Sequence, residues 1–356
     1  MSKISFKRLS KHEIPSLLKT IKTIKNETKS YDKNIDKIDY WKWKYKQLPS
    51  KKSLVYVAIK KNKIIGYYHI PVYDFIIKRK KYKIGSIQSV AVTKKFRDKN
   101  IFRRLSNFAN SDAIRYLDLF YTFPNNKSIH TFLKYDNFHH IIKLPFYIYP
   151  IKSANLIKSK VKFYGFNLVG RLVDYFFKLF SNKLDRDEKI VFFNNFENKI
   201  LYLFSRFNKK YDSYIKRSFS FLSWRYNKLS KSKYRIVGLE KNNKLKSVAI
   251  IKIDKIFKCK GIIVMDFAYT ELEYLRKLLT NITSSKFLKS NNISFILITG
   301  IVHNLDQIQK SGFLKIPSNL VPRNLNLLFK SRTKSLSNLL KNKKSWLITL
   351  SDWDVF

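Results

Sequence analysis

The fold is decided by the stretch Ile87-Gln-Ser-Val-Ala-Val-Thr-Lys-Lys-Phe-Arg-Asp-Lys-Asn-Ile-Phe-Arg-Arg-Leu105. Residues 87–92 form a short, apolar and β-branched run, which predicts a buried strand. Residues 93–100 are polar and basic, with Asp98 as the one acid among them. From Ile101 onward the apolar residues recur at helical spacing. A strand, a basic turn and a helix therefore follow one another directly, and such a junction aims free backbone N–H groups and the positive end of a helix at one point that attracts phosphate.

This stretch resembles the acyl-CoA-binding segment of the GNAT acetyltransferase superfamily, in which a V-x-V strand precedes Q/R-x-x-G-x-G/A and a helix. Val90 and Val92 match the strand, and Arg97 matches the first position of the turn. Asn100 and Phe102 stand at the two glycine positions. Asparagine tolerates a left-handed backbone better than other non-glycine residues, so Asn100 is a mild departure. Phe102 is the larger one, because it puts a side chain where the backbone should approach the diphosphate closely.

The resemblance implies a co-substrate, acetyl-CoA or another acyl-CoA, and a set of residues that bind it. The strand backbone that ends at Val92 would bind the pantetheine arm, and the amides of residues 97–102 would bind the diphosphate, with charge from Arg97 and Lys99. Asn125 and Ser128 resemble an N-x-x-A/S element that contacts the same arm, although a plain turn residue and a residue of a first helical turn fit these two equally well. The acyl-CoA-binding candidates are Val90, Val92, Arg97, Asp98, Lys99, Asn100, Ile101, Phe102, Asn125 and Ser128.

The proton donor of the reaction is not identified by the resemblance. Residues 134–138 resemble the family's K-x-x-G-F, but the position of the usual tyrosine holds Leu133. His130, Tyr135 and Asp136 lie close by in sequence and are the candidate substitutes, with an ordinary surface or packing role as the alternative for each. The strand before Val90 carries no acid that could serve as the base, so a water chain or a residue of the second half would have to deprotonate the amine.

The second half of the chain repeats the first. Residues 40–48 and 221–229 match at one constant offset, and three further matches follow the same order. The sequence therefore predicts an α/β (α+β) fold of two tandem GNAT-like domains, each a mixed, mostly antiparallel central sheet flanked by helices. The predicted ranges are 1–150 for the acyl-CoA-binding domain, 151–187 for a helical linker and 188–356 for a second, degenerate domain. The expected strands of the first domain include 54–59, 64–70, 72–77, 82–92 and 118–123.

The second copy differs at the turn that would bind the diphosphate. There the strand is followed by residues 268–274, which hold no arginine or glycine but do hold Glu271 and Glu273. Carboxylates near a helix start repel a diphosphate, so we expect this copy to lack the acyl-CoA site. It would instead form a wall of the substrate cleft or act as a structural partner. Arg217 and Arg225 are the substrate-binding candidates, because arginine suits carboxylate or phosphate recognition.

Composition excludes some classes of site and leaves others open. The single cysteine, Cys259, excludes a disulfide framework, and none of the six histidines has zinc-motif spacing, so we expect no metal. The net charge of +49 is spread along the chain and is typical of an AT-rich coding sequence, although it also favours an anionic membrane or nucleic acid. Residues 161–180 form either a helix packed between the domains or a peripheral helix at the inner membrane surface. Without a secretory signal or a membrane span, we expect a cytoplasmic protein.

These observations predict an acyl-CoA-dependent N-acyltransferase, expected to be an N-acetyltransferase. The acceptor would be a primary amine of a small metabolite, an amino sugar or an amino-acid derivative. One alternative is a tRNA-dependent aminoacyl transferase of the peptidoglycan-bridge type, the only case in which we expect a nucleic-acid partner. The other is a non-catalytic binding protein on a decayed GNAT scaffold.

Overall fold

A computed structural model describes residues 3–28, 35–97, 100–158, 172, 174–175, 183–226, 234–282 and 292–353. The chain divides into two compact units. Unit 1 consists of Met1–Lys143 with Leu325–Lys343, and unit 2 consists of Leu144–Asn324 with Lys344–Asp354. Each unit therefore includes a segment from the other half of the sequence, whereas the ranges predicted from the sequence are contiguous.

The first half of the chain follows the predicted order of elements. Its strands are β1 (Ser5–Arg8), β2 (Ser53–Lys60), β3 (Lys63–Ile77), β4 (Lys80–Val92), β5 (Leu119–Thr122), β6 (His139–Lys143) and β7 (Phe146–Pro150). Its helices are α1 (Ile14–Thr28), α2 (Ile38–Tyr45), α3 (Ile101–Ala113), α4 (Ile129–Lys134) and α5 (Ser153–Lys158). A separate strand at 72–77 is wrong, because those residues continue β3, which stays paired with β4 as far as Ile77. The helix predicted over 161–180 and its membrane-surface alternative lie outside the described residues, apart from positions 172, 174 and 175.

The second half repeats this order. Its strands are β8 (Glu188–Phe193), β9 (Ser213–Ile215), β10 (Tyr234–Lys241), β11 (Lys244–Ile256), β12 (Cys259–Tyr269), β13 (Phe295–Thr299), β14 (Leu314–Lys315) and β15 (Asn326–Ser331). Its described helices are α6 (Asn198–Asn208), α7 (Phe219–Tyr226), α8 (Leu272–Asn281) and α9 (Lys334–Leu340).

The two main sheets are mixed and mostly antiparallel, as predicted. The sheet of unit 1 runs β1-β2-β3-β4-β5-β15-β6, and the sheet of unit 2 runs β14-β7-β13-β12-β11-β10-β8. One pair in each, β4 with β5 and β12 with β13, is parallel. In unit 1, β15 from the end of the chain lies between β5 and β6. In unit 2, β7 from the first half lies between β13 and β14.

The core of unit 1 follows from the alternation of side chains along its strands. On β2, Val57 faces a cluster formed with α1 and α2, whereas its neighbour Tyr56 faces a cluster formed with α3. Tyr67 and Tyr68 divide in the same way on β3. Both faces of these strands are therefore covered by helices, which explains their continuous apolar sequence.

None of the helices formed by the described residues has the length and apolar composition needed to cross a bilayer. Within the same residues, no group of three or more His, Cys, Asp or Glu side chains is arranged to hold a metal ion.

Candidate functional site

The parallel pair β4 and β5 opens into a fork. The two strands pair from Ile84 with Leu119 to Ile87 with Thr122, and the Thr122 hydroxyl donates to the Ile87 carbonyl at 3.1 Å. Beyond this point β5 ends, whereas β4 runs on to Val92. The space beside Gln88–Val92, where β4 has lost its parallel partner, is called the fork below.

The backbone of β4 is aimed into this fork by its pairing with β3. The Thr93 N–H donates to the Ile65 carbonyl at 2.9 Å, so Thr93 faces β3. Because residues of an antiparallel strand alternate in direction, Val92 and Val90 present their N–H and C=O groups away from β3, toward the fork. A bulge at Ser89, where φ is 45°, lies just before them and bends the strand. The two valines assigned from the sequence thus have backbone groups suited to an extended ligand.

The corner after the fork has the left-handed turn that the sequence predicts for Asn100. Its φ is 54° and its ψ is 19°, and α3 begins at the next residue. The first helical hydrogen bond runs from the Arg104 N–H to the Asn100 carbonyl at 3.1 Å, so the amides of residues 101–103 precede it. Within the described part of this corner, which leaves out Asp98 and Lys99, no side chain caps the helix and its first turn holds no acid. These amides are therefore open to an anion.

Phe102, the larger departure from the motif, does not fill the corner. Its ring packs edge-on against Phe132 of α4, with 6.2 Å between the ring centroids, and lies against the core under α3. The side chain is directed toward the core, so the ring leaves the backbone of the turn accessible.

Arg97 is held beside the end of β4 by two contacts. Its Nε donates to the Val92 carbonyl at 3.0 Å, and its Nη2 donates to the Glu27 carboxylate at 3.0 Å. The Lys94 N–H donates to the same carboxylate at 2.8 Å. The Arg97 side chain is 39% exposed, so it can still reach a ligand. Sequence reasoning missed Glu27, which lies near the end of α1 and carries no motif that links it to this turn.

Asn125 and Ser128 form the turn that opens α4. The Asn125 side-chain oxygen accepts from the Lys127 N–H at 2.9 Å and from the Ser128 N–H at 3.1 Å. This is the local turn role that the sequence left open as the alternative. Their contact with an acyl-CoA arm stays a prediction.

The three catalytic candidates are in different environments. The rings of His130 and Tyr135 meet edge to face with 5.7 Å between centroids, and the Arg103 guanidinium lies 4.8 Å from the Tyr135 ring. His130 and Tyr135 are exposed. Asp136 is buried, where its carboxylate accepts from the Ser106 hydroxyl, and burial raises the pKa of Asp136. The structure thus groups His130 with Tyr135 and sets Asp136 apart from solvent.

A buried polar cluster next to the bulge was not found from the sequence. The Lys44 ammonium donates to the Ser89 hydroxyl at 3.1 Å. His69 is 1% exposed, and its ring lies 4.3 Å from the Tyr45 ring and 5.1 Å from the Tyr67 ring. Neither ring nitrogen of His69 has a hydrogen-bond partner among the described residues. The available signal was a histidine inside a strand predicted to be buried.

This histidine predicts a pH dependence of stability. Burial, and secondly the nearby Lys44 charge, hold the pKa of His69 well below its usual range, so the folded protein keeps it neutral. The unfolded chain takes up a proton below pH 6.5 or so. The free energy of unfolding should therefore fall as the pH drops below that value, by at most about 1.4 kcal/mol per pH unit from this group.

Urea unfolding at pH 7.5 and 5.5 tests this prediction. We expect His69→Phe to reduce the difference between the two pH values, and His12→Phe, at an exposed histidine, to leave it unchanged. An equal pH dependence in the wild type and His69→Phe would show that the His69 interpretation is wrong.

In unit 2, the parallel strands β12 and β13 separate in the same way as β4 and β5 and form a second fork, but the turn that follows β12 is different. This parallel pair runs only from Gly261 with Phe295 to Ile263 with Leu297. Helix α8 then starts after Glu271, whose φ of −133° is extended instead of left-handed, and Glu273 lies in the first turn. The two carboxylates therefore stand at this helix start, as the sequence predicted.

The two arginines expected to bind substrate are buried in unit 2. Arg217 donates both Nη groups to Asp352 and its Nε to Asp266. Its remaining N–H groups reach the Thr349 hydroxyl and the Ile215 carbonyl. All five N–H groups are thus used within the protein, which fits a role in the core. Arg225 is also buried and donates to the Trp353 carbonyl at 2.5 Å.

Comparison with solved structures identifies the fold. The chain is similar to a probable N-acyltransferase from Enterococcus faecalis (TM-score 0.62, 11% identity, 93% of this chain and 73% of that chain). It is also similar to N-myristoyltransferase from Saccharomyces cerevisiae with bound myristoyl-CoA (TM-score 0.59, 9% identity, 93% and 79%). A third similar structure is a tandem GNAT protein from the clavulanic acid biosynthesis pathway (TM-score 0.58, 7% identity, 93% and 99%). No family model and no curated protein matches the sequence.

Proposed function

Because the chain has the tandem-GNAT fold, we propose that it is an acyl-CoA-dependent N-acyltransferase and that unit 1 binds the thioester. The observation that carries this proposal is the open fork of β4, which leads into a left-handed corner and three open amides. The acceptor we propose is a primary amine of a small metabolite, an amino sugar or an amino-acid derivative. The cytoplasmic location expected from the sequence belongs to the same proposal.

The residues of unit 1 fit an acyl-CoA in three places. The Val90 N–H and C=O groups and the Val92 N–H are offered to the pantetheine arm, in the manner of strand addition, while the Val92 carbonyl already accepts from Arg97. The amides of residues 101–103 and the Arg97 guanidinium offer donors to the diphosphate. When bound, the acyl-CoA would supply a thioester carbonyl that an amine attacks directly. The work of the protein is then to hold the reactants in position and to move two protons.

Tyr135 is the proton donor that we propose. It is exposed, it lies at the end of α4, and Arg103 from the first turn of α3 contacts its ring. That turn also carries the proposed diphosphate site, so Tyr135 lies beside the proposed acyl-CoA site of unit 1. No acid lies on β4, and of the two alternatives that the sequence offers, a water chain or a residue of the second half, the base that we propose is an ordered water.

Isothermal titration with acetyl-CoA tests the proposed site. We expect binding in the micromolar range, weakened about tenfold to a hundredfold by Arg97→Glu, because the change replaces a charged donor by a carboxylate next to Glu27. Lys95→Glu is the matched control: it makes the same charge change two residues away, at an exposed side chain. It should weaken binding far less.

Other outcomes of this titration would favour the alternatives. Absence of acetyl-CoA binding by the wild-type chain would overturn the proposal, and tight, salt-sensitive binding of tRNA would then favour the aminoacyl transferase. Binding without thioester cleavage in the presence of a panel of amines would favour the non-catalytic scaffold.

A further inference from the structure

Unit 2 contains a pocket of about 270 Å³ at its own fork. The end of α6, the end of β12 and the start of α8 surround it. Its volume lies just below the range of about 300–1,000 Å³ that is usual for small-molecule sites. The pocket is therefore too small to enclose a whole acyl-CoA, but it has room for a small metabolite.

The floor of the pocket consists of three buried aromatic rings. Phe207 lies 4.6 Å from Tyr269 and 5.6 Å from Tyr211, measured between ring centroids. The backbone of His303 fixes both tyrosines: its N–H donates to the Tyr211 hydroxyl at 3.0 Å, and its carbonyl accepts from the Tyr269 hydroxyl at 3.4 Å. The rings thus form a preorganised apolar surface on which a flat or aliphatic group can pack.

Lys210 supplies a positive charge at the edge of this floor. Its ammonium donates to the Thr270 carbonyl at 2.8 Å and lies 5.6 Å from the Tyr269 ring. Burial, and secondly the Arg206 charge, lower the pKa of Lys210. No carboxylate of the described residues lies within ion-pair distance of it. A partly desolvated ammonium with unused N–H groups favours a bound carboxylate.

Glu271 also lines the pocket and supplies a negative charge there. It is exposed and forms no ion pair with any described side chain. Its carboxylate favours a cationic group on the ligand. The Glu271 charge acts on Lys210 from a distance, since it partly offsets the lowering of the Lys210 pKa. The pocket thus combines an apolar floor with an ammonium and a carboxylate that are not in direct contact, which is the complement of a zwitterion with an apolar body.

We propose that this pocket binds a free α-amino acid with an aromatic or aliphatic side chain. The ligand carboxylate would meet Lys210, its ammonium would meet Glu271, and its side chain would pack on the three rings. This site is separate from the acyl-CoA site proposed for unit 1 and does not depend on it, since all of its residues belong to unit 2.

Titration of the full chain with L-phenylalanine, 3-phenylpropionate and 2-phenylethylamine tests the proposal by calorimetry. We expect saturable binding of L-phenylalanine, weaker binding of 3-phenylpropionate and none of 2-phenylethylamine. Lys210→Met should weaken phenylalanine binding about tenfold or more, and Lys210→Arg should retain most of it. Lys209→Met, at the exposed neighbour, should leave it unchanged. Glu271→Gln should remove the preference for phenylalanine over 3-phenylpropionate.

Three results would overturn the proposal. One is the absence of saturable binding of both carboxylates at millimolar concentration. The second is an equal loss of affinity in Lys210→Met and Lys209→Met. The third is tighter binding of 2-phenylethylamine than of 3-phenylpropionate. Lys210→Arg keeps the positive charge, so retained binding in this variant shows that the loss in Lys210→Met comes from the missing ligand contact and not from a damaged fold. None of these outcomes affects the acetyl-CoA titration of unit 1.

Discussion

Arg217→Met is expected to lower the free energy of unfolding by about 3–5 kcal/mol, the usual cost of breaking a buried ion pair from one side. The guanidinium forms a bidentate pair with Asp352, at 2.8 and 2.7 Å, and a further contact with Asp266 at 2.8 Å. All three side chains are essentially inaccessible to solvent. Without the guanidinium, two carboxylates would remain buried next to each other and would lose the three hydrogen bonds that Arg217 donates to them.

Urea unfolding of Arg217→Met and of Lys216→Met, its exposed neighbour, provides the measurement. The loss in Arg217→Met should also depend on pH. Even with Arg217 present, burial raises the pKa of Asp266, and the variant should raise it further. A carboxyl whose folded pKa lies above its unfolded value destabilises the protein more as the pH rises. We therefore expect a smaller loss at pH 4.5 than at pH 8. A cost no greater than that of Lys216→Met would contradict the buried-pair interpretation.

The sequence was informative where the structure depends on neighbours along the chain. The strand, turn and helix of residues 87–105 depend on local patterns of hydrophobicity, and these predicted β4 and α3. The left-handed Asn100 followed from the properties of that single residue. The repeated order of elements was visible because both halves keep the same sequence of strand and helix signals.

The rest depends on partners that are distant in sequence. The chemistry of arginine, which suits carboxylate or phosphate recognition, predicts a ligand-binding role for Arg217, and nothing near it in the sequence indicates that Asp266 and Asp352 enclose it. The direction of the Phe102 ring was undecidable for the same reason, since Phe132 belongs to another helix. The placement of β15 in the sheet of unit 1 is the largest difference between the predicted and the observed domain ranges. A strand has no local signal that says which of two similar sheets it joins.

Because β15, from the end of the chain, belongs to the sheet of unit 1, we predict that residues 1–150 do not fold alone. This fragment lacks β15, which lies between β5 and β6 and buries Leu328 and Phe329 completely. Burial of two such side chains contributes about 3–6 kcal/mol, a large share of the stability of an ordinary domain. The fragment would also end in Phe146–Pro150, whose partners, β13 and β14, belong to unit 2. We expect no cooperative unfolding transition and rapid proteolysis.

A rearranged chain provides the matched control. In the sheet of unit 1, Lys143 pairs with Asn326 in an antiparallel register, so a two-residue Asn-Gly turn can join residue 143 to residue 326. The chain 1–143, Asn-Gly, 326–343 contains every strand and helix of unit 1 and should unfold cooperatively in urea. Because the fork and its corner lie within unit 1, it should also bind acetyl-CoA if the proposed site is correct. Cooperative unfolding of the 1–150 fragment would show that β15 is dispensable. If the rearranged chain folds and the fragment does not, unit 1 is complete only with a strand that the sequence places almost two hundred residues downstream.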